Sequence, residues 1–288
     1  MNKFYRMGLM GFICLILCIC LGSACYAGAH GYGNGGFSLG AGKVELTDTH
    51  ELELDGVRLI DIQYISQNIE FFETDDDKLV VKEYLNNKGA NGRTIIETKD
   101  GTLSVIREEK GGIHFQFGFT TESERIEIYL PKNYKDSLQA AVVSGNLHSQ
   151  SALDLKSFCV ASTSGNISCE QLHADAIAVA STSGNIELEK VVGALSAAAV
   201  SGNIDIEYEE VQYDIGLSTT SGNIRLSMPK ESSFTYDGSA TSGSIKTDFD
   251  ESLSFNDKKN KAQGSYNGGT DLQIQTETTS GNTKIALY

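Results

Sequence analysis

The sequence holds no tryptophan and only 2 prolines among 288 residues, against 30 glycines. A collagen would need far more Gly and Pro, and a proline-rich linker protein is excluded too. Cysteine is scarce in the body of the chain. Of 6 in all, Cys14, Cys18, Cys20 and Cys25 sit near the N-terminus, leaving Cys159 and Cys169. No CxxC and no Cys/His cluster occurs there, so neither a redox motif nor a zinc site is expected. Positive charge is short as well: 23 Lys and Arg face 38 Asp and Glu, a net charge of −15. Residues 1–28 carry Lys3 and Arg6 and no acid, so the remainder has 21 bases against 38 acids, or −17. So acidic a surface repels phosphate backbones, and nucleic acid is not an expected partner. With 40% apolar and 21% charged residues the chain is globular rather than disordered.

The one long apolar run is at the start. Residues 8–21 read GLMGFICLILCICL, behind Lys3 and Arg6 and ahead of Gly22-Ser23-Ala24-Cys25-Tyr26-Ala27-Gly28-Ala29. A basic n-region, an apolar h-region and a small-residue c-region form an export signal, with cleavage expected after Ala27 or Ala29. Two alternatives stay open. Met7 to Ala27 is about 20 residues, enough for an uncleaved membrane anchor. Cys25 could take a lipid, although Gly22 stands where a lipoprotein has Leu. Residues 1–27 are therefore read as signal peptide or anchor. Residues 28–43, GAHGYGNGGFSLGAGK, form a glycine-rich spacer. Its GAGK is no phosphate loop, because Phe37 replaces the first Gly and Val44 the required Ser or Thr.

Residues 44–288 are dominated by a repeat. Ser-Gly-Asn-Ile or a variant occurs at Gly145-Asn146, Gly165-Asn166, Gly184-Asn185, Gly202-Asn203, Gly222-Asn223, Gly243 (followed by Ser244) and Gly281-Asn282. The Gly-to-Gly intervals are 20, 19, 18, 20, 21 and 38. The last equals two periods with a polar insertion, Asp250 to Gly264, in place of a copy. Apolar residues alternate on both sides of each Gly, as in Leu195 and Ala197 before Gly202 and Ile204 and Ile206 after it. Period-2 patterning around a Gly-Asn turn means two short strands per repeat, each with one buried face. The expected fold is all-β: a β-solenoid of stacked two-strand coils, Ile above Ile at about 4.8 Å, with an irregular strand-rich N-terminal part. Gly and Asn are expected to supply positive φ at the turn. On that basis Gly202→Val should cost about 1–3 kcal/mol, less than Ile204→Ala.

The N-terminal part alternates at Glu51–Asp55, Val57–Tyr64, Lys78–Leu85, Thr102–Glu108 and Arg125–Leu130. Ser66-Gln67-Asn68-Ile69 reads as a degenerate copy, 78 residues and so four periods before Gly145. Asp75-Asp76-Asp77 is expected to cap a hairpin. Pro131 and Pro229 stand in matching Leu/Met-Pro-Lys contexts and should end strands.

Signals for chemistry are few. His30, His50, His114, His148 and His173 show no HxH or HExxH spacing, and His148 and His173 are expected at solvated turns. There is no G-x-S-x-G elbow. The aspartate triplet lacks the spacing of a calcium loop. Cys159 and Cys169 fall on opposite parities, so no disulfide is expected between them. A serine repeated in every coil points to structure, since a nucleophile needs one unique site. The Gly and Asn positions are thus read as a structural turn motif, with no catalytic, metal or cofactor residues.

The repeated Ser-Gly-Asn-Ile, the acidic strand-rich first half, the strand ending in Leu-Pro-Lys and the final Thr-Ser-Gly-Asn resemble the "putative adhesin", domain-of-unknown-function 4097 group of bacterial envelope proteins. The resemblance covers roughly 44–288. It implies a β-repeat platform at the cell envelope and supplies no catalytic residues. The resulting expectation is an exported, non-enzymatic binding, adhesion or scaffolding surface for an envelope protein or surface polysaccharide, with membrane association possible through residues 7–27. The alternatives are a membrane-tethered sensor ectodomain in envelope-stress signalling and a polysaccharide-active β-helix enzyme.

Overall fold

The computed structural model describes residues 43–86, 92–109, 123–269 and 271–288. The expected signal or anchor, the spacer up to residue 42, His30 and His114 lie outside the described residues.

Two flat parallel faces run the length of the described fold. Each coil contributes one strand to the first face, turns a corner, and contributes a shorter strand to the second. In the Gly165 coil these are Leu153–Ser164 and Ile167–Cys169. Neighbouring coils lie in register, so Leu138, Phe158, Ile177, Leu195, Ile215 and Ile274 form one inward row. Ile69, Leu147, Ile167, Ile186 and Ile204 form another and are each 0% exposed. These are the rows expected from the period-2 pattern. Leu153–Leu155 also pairs with Leu172–Ala174, which gives the middle coils a short third side. The chain is a β-solenoid, and its core is the space between the faces.

The order of the coils in space differs from their order in sequence at both ends. Leu59–Tyr64 lies between Thr102–Glu109 and Ser137–Ser144 on the first face. Asn68–Thr74 lies between Arg125–Pro131 and Leu147–Ser149 on the second. Gln67 therefore stacks directly on Gly145 rather than four periods away, and the intervening chain forms an outer coil and its covering strands. At the other end Gln273–Ser280 is inserted between Ile215–Ser221 and Phe234–Ser242. The 38-residue interval thus holds no missing copy. Its polar segment forms Leu253–Phe255 and Lys261–Tyr266, an antiparallel pair laid along Phe234–Ser242.

Antiparallel strands also cover the N-terminal end. Gly92–Lys99 lies on Thr102–Glu109; Leu79–Asn86 lies on Arg125–Pro131 and carries Val44–Leu52 outside it. Such strands blunt edges that would otherwise template further pairing. The aspartate triplet does not cap a hairpin, because Arg125–Pro131 separates the two strands that flank it. Instead Asp75 meets Lys132 Nζ at 2.8 Å and Asp77 accepts from Asn133 Nδ2 at 3.0 Å. Among the described residues no helix is long and apolar enough to cross a membrane.

A charged cluster closes the core beneath these N-terminal strands. Glu83 points inward beside Ile126, with its side chain 1% exposed. Its carboxylate accepts from Tyr64 Oη at 2.9 Å, from Thr94 Oγ1 and from Arg107 Nη1 at 3.3 Å. Burial, followed by the Glu83 charge, raises the Tyr64 hydroxyl well above the usual phenol range. Removing one member of a buried pair strands the other. Glu83→Ala should lower unfolding free energy by about 3–5 kcal/mol, whereas the double change Glu83→Met/Arg107→Met should cost far less. Urea denaturation of the two variants checks this.

Candidate functional site

The repeated Ser-Gly-Asn residues converge on one corner between the faces. There the backbone N–H of each Asn from Asn146 onward donates to the side-chain Oδ1 of the Asn in the neighbouring coil. The chain of bonds runs Asn68, Asn146, Asn166, Asn185, Asn203, Asn223, Asn282, each step 2.8 or 2.9 Å. It ends on Ser244, whose N–H and hydroxyl both donate to Asn282 Oδ1 at 3.0 Å. The side-chain amides thus satisfy backbone donors that the corner takes out of the ladder. Inward hydroxyls help: Thr219 Oγ1 donates to the Gly202 carbonyl at 3.1 Å, and Thr278 Oγ1 to that of Gly222 at 3.2 Å.

Glycine is needed at this corner for a second reason besides the expected one. Gly165, Gly243 and Gly281 have positive φ as expected, but Gly145, Gly184, Gly202 and Gly222 do not, nor does any Asn of the motif. What excludes a side chain is proximity. A Cβ on Gly202 would stand 2.0 Å from the Gly184 carbonyl oxygen. That obstacle is backbone fixed in the next coil, so a methyl group suffices to force the coils apart. Ile204, by contrast, only loses packing against Ile186 and Ile224 when truncated. The order expected from sequence therefore reverses. Ile204→Ala should cost about 2–5 kcal/mol and Gly202→Ala at least as much, while exposed Ser201→Ala should stay below about 1 kcal/mol. Guanidinium melts of the three variants give the ranking.

The two outward faces differ in chemistry. On the first face, Ala141, Ala161, Ala180, Ala198 and Ser218 form a row of small side chains. Cys159 lies on this side, and burial followed by Asp61 raises its thiol; Cys169 lies in the core, where burial pushes the thiol up to about 12. Both are free.

The second face is charged. One row runs Glu127, Glu70, His148, Ser168, Glu187, Asp205, Arg225, Lys284, Lys246. Lys284 and Lys246 stand side by side at one end; at the other, Glu127 beside Glu70 is in register with Lys82 and paired with Arg125, and between them Asp205 meets Arg225 at 3.7 Å. Partial burial still raises the Asp205 carboxyl, with Arg225 opposing. Side-by-side like charges oppose stability. His148 and His173 are strand residues here, not turn residues. His148 Nδ1 lies 2.7 Å from Ser168 Oγ, a nucleophile-and-base distance. The backbone around them is committed to pairing, however. The Ile167 N–H donates to Asn185 and that of Leu147 to Asn166, each at 2.9 Å. These two N–H groups are thus taken by the stack and are not left for an oxyanion.

At the N-terminal end of this face stands an aromatic group. Phe72 and Tyr129, in register on adjacent strands, stack at 5.2 Å with 24° between planes. Lys82 Nζ lies 4.3 Å over the Tyr129 ring, and the Arg125 guanidinium 3.9 Å over Tyr84. Glu127 ties the group together, accepting from Arg125 Nε at 3.0 Å and Tyr129 Oη at 2.9 Å. Burial and then the bond to Glu127 push the Tyr129 hydroxyl up to about 12. No sequence motif marks this group, because its strands are not consecutive in the chain.

A family model described as Toastrack DUF4097 matches residues 57–168 and again 148–286. The chain belongs to this family. A solved structure from Bacteroides fragilis described as a "putative adhesin" is 16% identical, with 83% of this chain and 96% of that one covered and a TM-score of 0.45. One from Clostridium sporogenes described as a "putative cell adhesion protein" is 10% identical, covering 84% and 98%, at 0.38. One from Parabacteroides distasonis described as a "putative lipid binding protein" is 15% identical, covering 86% and 99%, at 0.33. No curated protein matches the chain.

Among the described residues, no three His, Cys, Asp or Glu side chains are grouped to hold a metal ion. Chelation with EDTA should leave the melting temperature unchanged within a few degrees; a fall of more than about 10 °C would reveal a metal site.

Proposed function

We propose that this chain is an exported, non-enzymatic protein of the cell envelope whose stacked faces serve as a binding or scaffolding surface. The observation that carries this reading is the contrast between corner and second face. The repeated Asn amides and Gly carbonyls are bonded into the stack. The outward row of the second face instead sets Lys284 and Lys246 side by side at its C-terminal end, an arrangement that does nothing for the stack. Export is supported by the basic n-region and the apolar run 8–21. The DUF4097 resemblance agrees with an envelope setting.

Met7 to Ala27 favours a second reading, a membrane-tethered ectodomain that reports to a membrane partner. Cell fractionation with N-terminal sequencing separates the two. The expected product is outside the cytoplasm and begins after Ala27 or Ala29. A membrane-bound product that still carries residues 1–27 supports the tethered form. A soluble cytoplasmic product retaining Met1 defeats both. Capture of envelope components by the tagged full-length chain, set against a cytoplasmic extract, tests the binding role itself.

A further inference from the structure

The aromatic group on the second face ends abruptly, and that end has the chemistry of a saccharide subsite. Arg125–Pro131 lies between Leu79–Asn86 and Asn68–Thr74. Tyr129 is therefore covered by Lys82 on one side and by Phe72 on the other. The stack is a cation, a ring and a second ring. Its next place lies over the neighbouring coil, where Phe71 is in register with Ser149 and the residue beside Phe72 is exposed Gln150. No ring continues the stack there. Phe72 remains partly accessible, and Gln150, one residue past Ser149, is exposed.

Polar groups flank that place. Glu70 is two residues before Phe72 on the same outward side, and His148, on the strand Leu147–Ser149, is in register with Glu70. Glu70, His148 and Gln150 are all at least partly exposed. The stack itself is held from behind, because Glu127, with its side chain 11% exposed, is bonded to both Arg125 and Tyr129. Elsewhere the rows on this face carry mainly charged or small side chains, so a preorganised aromatic pair is out of keeping with a merely solvated surface.

We infer that Phe72, backed by Tyr129 and flanked by Glu70, His148 and Gln150, forms a subsite for a neutral, β-linked pyranoside chain. This inference rests on the binding role proposed above and names its ligand class. A pyranose with equatorial hydroxyls has an apolar C–H face and a polar rim. The C–H face continues the stack on Phe72, as aromatic rings stack on one another at offset contact. The rim hydroxyls donate to the Glu70 carboxylate and bond the Gln150 amide and the His148 ring. Charge disfavours anions: Glu127 is already paired with Arg125, which leaves Glu70 as the acid flanking the place, and the chain's surplus of acids over bases repels uronic acids and phosphorylated sugars. A β-linked chain extends flat, which suits a face with no deep cleft and lets successive sugars lie along the coils.

The test titrates the full-length chain in detergent with cellohexaose and with chitohexaose by calorimetry, and with polygalacturonate as the anionic comparison. Binding of at least one neutral hexaose, and none of polygalacturonate, is expected. Phe72→Ala should weaken it by about tenfold, and Phe72→Leu, which keeps bulk without a ring, by a similar factor. Glu70→Gln should weaken it by about threefold or more. Glu187→Gln, further along the same row, should leave it unchanged. Failure of both neutral hexaoses to bind overturns the inference, as does equal affinity in folded Phe72→Leu. If envelope capture persists while both hexaoses fail, only the saccharide assignment falls. If envelope capture also fails, the binding role falls with it.

Discussion

The spacing between coils at the Ser-Gly-Asn corner is the constraint on which the rest of this structure depends. Parallel pairing fixes neighbouring strands at about 4.8 Å, and the corner must hold that spacing while the chain changes direction. The Gly202 Cα sits so near the Gly184 carbonyl that a Cβ has no room, and Asn203 donates its N–H to the Asn185 side chain across the same gap. Both faces inherit their register from this corner. Ile204 lies over Ile186 on one side of it and Leu195 over Ile177 on the other. A shift of one residue would turn every inward row outward at once.

The same constraint divides the residues into those the fold requires and those it leaves free. Inward rows must be apolar or hydroxylic, and inside the stack the corner is Gly and Asn, with Gln67 and Ser244 as the departures toward its ends. Outward positions are subject to no such demand, so their chemistry varies from the Ala141 row on the first face to the acidic and basic ends of the second. The buried Glu83 cluster is the main exception among inward positions, and it lies at an end, where the regular stacking stops. A carboxylate there is tolerable because Tyr64, Thr94 and Arg107 saturate it.

Much of the regular part was legible in the sequence because each coil repeats the same local rule. The period, the two strands per repeat, the inward rows and the Gln67-Asn68 copy follow from spacing alone. Coil order did not follow, because spacing along a chain cannot say whether Gly281 stacks on Gly243 or slips in beside Gly222. Gly92–Lys99 was missed since its residues show little alternation. The Gly role was read from φ alone, which accounts for Gly165, Gly243 and Gly281 but not for Gly202, because close approach and positive φ select the same residue. The aromatic group could not be read at all: Phe72, Tyr129, Lys82 and Arg125 come from three strands that only the out-of-order stacking brings together.

The inserted coil near the C-terminal end has a consequence for how the molecule assembles. Phe234–Ser242 and Ile245–Thr247 are made before Gln273–Ser280 and Thr283–Leu287, yet the later coil is their parallel neighbour and their link to the stack. Growth from the N-terminus can add the coils through Ile224–Met228 one upon the next. The following coil must then wait beside a vacancy, held by its own antiparallel partner Lys261–Tyr266. Strand order thus imposes a timing on synthesis: two coils dock together as a late unit, as a keystone course closes a wall only when its last block arrives.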